Sequence, residues 1–157
     1  MLLHFCHWLN ATSLGDAVRA SKWAFPIVEI FHVLGLSVLG GAILIVNLRL
    51  FGLRNQPEPA EELWRDVQPL MIGGLLVALI SGFLLFASEA GRMYYNHPFR
   101  YKMVFLILAI AFTFTVQRRV ALSEKVSSAL SRKLVVVASI LLWSGVGIGG
   151  RLIGYLQ

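Results

Sequence analysis

The sequence predicts an all-α integral membrane protein, a four-transmembrane-helix antiparallel bundle preceded by a short N-terminal interfacial amphipathic helix. Three observations predict it. Of 157 residues, 57% are hydrophobic and only 14% charged, with a mean hydropathy of +0.74. One water-solvated domain of that length cannot hide so much apolar surface, so lipid must solvate part of it. Stretches with few charges recur four times, each near the ~20 residues that cross a hydrocarbon core at ~1.5 Å per residue. The alternating ~10-residue segments of an outer-membrane barrel are absent.

Taken in order, residues 1–22 cluster Leu2, Leu3, Phe5, Cys6, Trp8 and Leu9 among His4, His7 and Asn10. No basic stretch opens this segment, as one would in a cleavable signal peptide, so it reads as a helix lying on the membrane. The first span, 24–53, is interrupted by Glu29, His32, Asn47 and Arg49. The second, 67–88, carries no formal charge. The third, 99–117, starts with Arg100 and Lys102, whose stems can snorkel to the interface. The fourth, 134–156, holds Arg151 near its end. Trp8, Trp23 and Trp64 fall where an aromatic belt belongs, whereas Trp143 lies deep in the fourth span. One membrane domain over 1–157 accounts for the whole chain.

The formal charge of +6 lacks the aromatic-interleaved basic stripe of a nucleic-acid binder. The single Cys6 excludes an internal disulfide. No hydrolase serine motif, phosphate loop, HExxH or paired-cysteine motif occurs, which argues against catalysis. Eight basic residues fall on the side of the first and third loops and six on the other, so the positive-inside rule places both termini outside, on the periplasmic face of a bacterial inner membrane.

Glu29 and His32 are the unusual residues, because ionisable groups inside a span are costly. Three apart, they project from one side of their helix, and His32 lies nine residues past Trp23, roughly 13 Å along the axis. Antiparallel spans bring Lys102, Arg151 and Tyr155 to the same end, which predicts a buried polar layer of Glu29, His32, Lys102, Arg151 and Tyr155. In one reading Glu29 neutralises Lys102 or Arg151, with His32 hydrogen-bonded beside them. In the other, His32 ligates b-type haem or copper, or relays protons with Glu29, and His97 or Met103 supplies a second ligand. His4 and His7, at i and i+3, form a two-ligand metal candidate. Gly35, Gly40, Gly74, Gly82, Gly147 and Gly150 are expected at helix-packing positions, where small residues let backbones approach in lipid. The Gly149-Gly150 pair could alternatively leave room for a flat cofactor.

Several strings carry a resemblance: Trp23 to Pro26 with Glu29 to Gly35, Asn47 to Leu53, Ser81 to Phe86, Asn96 to Lys102, and Leu142-Trp143 with Gly150 to Tyr155. In that order they resemble an uncharacterised family of small bacterial inner-membrane proteins with four predicted helices and no established function. The organisation is also similar, at the level of fold analogy, to copper-resistance and b-type cytochrome membrane modules. The resemblance implies a histidine near the end of span three in many relatives, a place that Gln117 holds here. Two functional expectations follow. The chain is an accessory or anchor subunit docked, through a protein partner or its own copies, in a larger membrane complex. Alternatively it is a membrane redox or metal-handling protein centred on His32. A proton-coupled permease using Glu29 ranks third.

Overall fold

A computed structural model describes residues 21–53, 60–93, 96–123 and 128–155, the side chains of 60, 91–93, 154 and 155 excepted. The expected interfacial helix, with His4 and His7, lies outside these residues, as does the Tyr155 side chain. The described backbone is helical, without strands: α1 Ala24–Phe51, α2 Ala60–Met93, α3 His97–Leu122 and α4 Ala129–Tyr155. All four helices are long and apolar enough to cross a membrane. Their surface agrees: Ile80, Ile107, Leu141 and Ile148 are each 60–65% exposed. Apolar contact of that extent is stable against lipid rather than water.

α2, α3 and the start of α4 overrun the apolar stretches that announced them, because a helical backbone satisfies its own hydrogen bonds into the polar interface. α2 begins seven residues before the predicted span, on a polar turn where Glu61 and Arg65 pair at 2.8 Å. α1 stops two residues before its predicted limit, where Gly52 adopts φ +87°. Its N–H donates to Arg49 O at 3.1 Å and that of Leu53 to Leu48 O at 3.2 Å, a Schellman closure for which glycine is suited. Near the other end of α2, Glu89 leaves helical geometry (φ −128°, ψ 22°) and kinks the last turn.

α1 packs most closely on α2, and α3 on α4. On α1, His32 meets Gly82, Gly35 meets Ala78 and Leu39 meets Gly74, so positions climb on α1 as they descend on α2. On α3, Lys102 meets Gly149 and Phe105 meets Gly145, while Thr113 meets Trp143 and Gln117 meets Ser139, with the same opposed progression. The two pairs join through a core of Leu39, Ile43, Val46, Leu50, Trp64, Val67, Met71, Ala121 and Val136, at the end where α1 closes and α2 begins. Lys133 Nζ lies 5.7 Å from the Phe51 ring centre at that end. At the other end the Phe86 and Phe99 rings stack at 5.2 Å.

Glycine positions divide into two sets. A methyl built on Gly35 would lie 2.8 Å from Ala78 N, and one on Gly74 2.8 Å from Leu39 N. Gly82 leaves space for the His32 ring, Gly145 for Phe105, and Gly149 and Gly150 for Lys102. Gly40 and Gly147, expected to pack, meet none of the described residues, and neither do Gly41 and Gly73. Helical period marks a small-residue face, but it does not say whether the same chain covers it.

Candidate functional site

Polar side chains gather at two depths, one around His32 and one around Asn47. His32 leans from α1 onto α2, over the bare Cα of Gly82. Its Nδ1 stands 2.9 Å from Ala78 O and 3.1 Å from Ser81 Oγ. A carbonyl can only accept, so Nδ1 carries a proton, and in the neutral imidazole Nε2 keeps its lone pair. Ser81 donates its own hydrogen to Val77 O and can therefore accept from the same N–H. The imidazole is thus fixed in tautomer and orientation by backbone of the neighbouring helix.

Lys102 occupies the facing side of this layer. A methyl on Gly149 would sit 3.1 Å from Lys102 Cβ, and one on Gly150 3.3 Å from Nζ, so the stem lies flat along α4. This fills the space that the Gly149-Gly150 pair offered a flat cofactor. Lys102 and Glu29 both lie within electrostatic reach of the His32 ring. The expected ion pair does not form: among the described residues Glu29 pairs with neither Lys102 nor Arg151. Glu29 and Arg151 are exposed on the outsides of α1 and α4. The reason is rotational: Glu29 and His32 are three residues and about 300° apart, so when His32 points into α2, Glu29 sits at the edge of that face.

His97 and Met103 are both exposed on α3, and no hydrogen bond joins either to His32. Among the described residues no group of three His, Cys, Asp or Glu side chains could hold a metal ion. Among the described residues, His32 Nε2 is the one imidazole nitrogen at this depth that could ligate a metal or haem.

The second polar centre was not expected as a unit. Gln117 Nε2 donates to Asn47 Oδ1 at 2.9 Å, Asn47 Nδ2 donates to Ser139 Oγ at 3.2 Å, and Ser139 Oγ donates to Gln117 Oε1 at 3.4 Å. The three bonds close a ring across α1, α3 and α4 in which every member gives one bond and takes one. Gln117 and Ser139 are 0% exposed and Asn47 4%, so the ring is sealed from solvent and lipid. One turn away, Trp143 Nε1 donates to the buried Thr113 Oγ1 at 3.1 Å. Trp143, unassigned from sequence, is therefore a hydrogen-bond partner within the bundle.

Backbone geometry brings Thr113 and Gln117 to this centre. Over Thr113–Gln117 the α3 helix widens into a π turn, and both of its end residues are fully buried. With the wider turn, residues four apart stack almost directly above one another, whereas an α-helix offsets them by about 40°. Asn47, Gln117 and Ser139 share one depth near the ends or starts of their spans, and matching depths across spans was the signal that could have grouped them. The π turn itself leaves no such signal.

A family model described as a family of unknown function (DUF6644) matches residues 5–156. No curated protein and no solved structure matches.

Proposed function

Because the chain belongs to this family of unknown function, membership assigns it no activity, and we propose from the geometry that it is a non-enzymatic accessory or anchor subunit of a larger membrane complex. The proposal includes the finer topology: an antiparallel four-helix bundle in a bacterial inner membrane, with residues 1–22 on its surface and both termini periplasmic. The charge placement supports that orientation, since Arg49, Arg65, Arg118, Arg119, Arg132 and Lys133 surround the end where α1 closes.

One observation carries the docking role. On the face of α1 turned away from the core, none of the described residues lies over Gly40 and Gly41, and Ser37 beside them is exposed. The Ser37 hydroxyl already donates to Val33 O at 2.8 Å, so the patch presents no unsatisfied group. Such a shallow, satisfied, small-residue surface lets a second helix backbone approach closely in lipid, where packing rather than hydrophobicity drives association. The ring at Asn47, by contrast, consumes its polar groups internally and offers nothing to a substrate.

Gly41→Leu tests this reading. The substitution fills the patch without touching the described core, so helicity and thermal unfolding of the purified chain stay as in wild type. Native electrophoresis of solubilised membranes should show wild type in a larger assembly and G41L released from it. Identical migration of the two would remove the docking role.

A second reading rests on His32. An imidazole whose Nδ1–H is fixed on a backbone carbonyl is in the arrangement that second-shell bonds impose on metal-ligating histidines. Nε2 would then hold b-type haem or copper. A Soret band or stoichiometric copper in the detergent-purified chain, lost in His32→Ala, is its expected signature. Purified protein lacking both after growth with haem precursor and copper would exclude it.

A further inference from the structure

Lys102 is a cation without a counter-ion among the described residues. It is half-buried in the outermost turns of α3, and among the described residues it forms no ion pair or hydrogen bond. Its titratable neighbour is His32, which cannot supply negative charge. Glu29 acts on His32 and does not pair with the lysine. Two more cations, Arg100 on the same turn and Arg151 next to Gly150, are exposed at that end. An ammonium left unpaired in a low-dielectric setting is strongly unfavourable, and no carboxylate among the described residues answers it, which points to an anion from the surroundings.

Position identifies those surroundings. Lys102 lies five residues after His97, where α3 begins, so it is roughly 7.5 Å from the helix end and within reach of the bilayer interface. Its stem does not snorkel freely. Gly149 and Gly150 form a bare track on α4 that seats it, which holds Nζ between α3 and α4. At that depth the anion available to a membrane-spanning helix is a lipid phosphodiester.

We propose that Lys102, seated on Gly149 and Gly150, is the phosphate contact of a site for one anionic phospholipid headgroup, with Arg100 and Arg151 at its rim. The site is independent of both functional readings above. It differs from general attraction to an anionic surface because one lysine is fixed in a track while the rim arginines add only field.

The full chain, purified in a neutral detergent, is titrated with dioleoyl phosphatidylglycerol or dioleoyl phosphatidylcholine, and bound lipid is counted by native mass spectrometry. Wild type should retain one phosphatidylglycerol in preference to phosphatidylcholine. Lys102→Met should lower that preference about fivefold, the effect of one basic residue near an anionic lipid surface. Lys102→Arg should retain most of it, and Arg118→Gln, at the opposite end, should leave it unchanged. If K102M does not fold, Arg151→Gln, an exposed change, should still lower the preference twofold or so. The proposal fails if K102M keeps wild-type preference, or if millimolar inorganic phosphate displaces the lipid. It also fails if wild type does not distinguish the two lipids, in which case an acidic partner side chain is the counter-ion.

Discussion

Replacing Gly74 by leucine should separate α1 from α2, the largest effect that any single substitution is expected to have on this fold. Even a methyl group there would lie 2.8 Å from Leu39 N and 2.9 Å from Gly35 O, both backbone atoms that cannot swing aside. The helices must move apart and lose the close contact that holds them in lipid, at a cost of about 3 kcal/mol or more. Gly35→Leu should behave alike, since its Cβ would meet Ala78 N and Gly74 O. Gly40→Leu and Gly147→Leu, added over open space, should leave thermal unfolding in detergent within about 0.5 kcal/mol of wild type. Equal losses at Gly74 and Gly40 would contradict the packing described.

Breaking the Asn47–Gln117–Ser139 ring is expected to have the next largest effect. Gln117→Leu removes the donor to Asn47 Oδ1 and the acceptor for Ser139 Oγ, so two buried groups lose partners at once. Unfolding experiments in detergent should report a loss of about 1–3 kcal/mol, the usual cost of leaving buried polar groups unsatisfied. Asn47→Leu should cost a similar amount for the same reason. The double variant should cost clearly less than the sum, because each single change already opens the ring. Strict additivity would mean that the three side chains do not act as a unit.

Apolar patterning made four membrane-length helices legible, because a span must be apolar over a length that the bilayer fixes. Their ends were less legible: Gly52 closes α1 by a local backbone conformation, and Glu61 and Arg65 extend α2 by a pair on a polar turn. Within the polar layer, sequence singled out His32 and Lys102, and each rests on bare glycine of a neighbouring helix, Gly82 for His32 and Gly149 and Gly150 for Lys102. It could not predict that Glu29 would be turned outward, because three residues of separation fix a side of the helix only to within tens of degrees. The ring at Asn47 was missed for a different reason. Asparagine, glutamine and serine carry no charge, so each alone looks unremarkable in a span, and the π turn at Thr113–Gln117 that aims two of the inward residues has no sequence signature. Nor does periodicity say which glycines the chain covers itself, as Gly74 and Gly40 illustrate.

That last distinction underlies the proposed docking role, since Gly35 and Gly74 are covered within the chain and Gly40 and Gly41 are not covered by any described residue. A photo-crosslinking residue placed at Ser37, beside them on α1, tests this directly when activated in native membranes, with Ile107 on α3 as a control exposed elsewhere on the apolar surface. The predicted result is one discrete protein adduct from Ser37, absent in the Gly41→Leu background, and none from Ile107. Lipid adducts alone at both positions, or a Ser37 adduct that G41L leaves intact, would contradict the account.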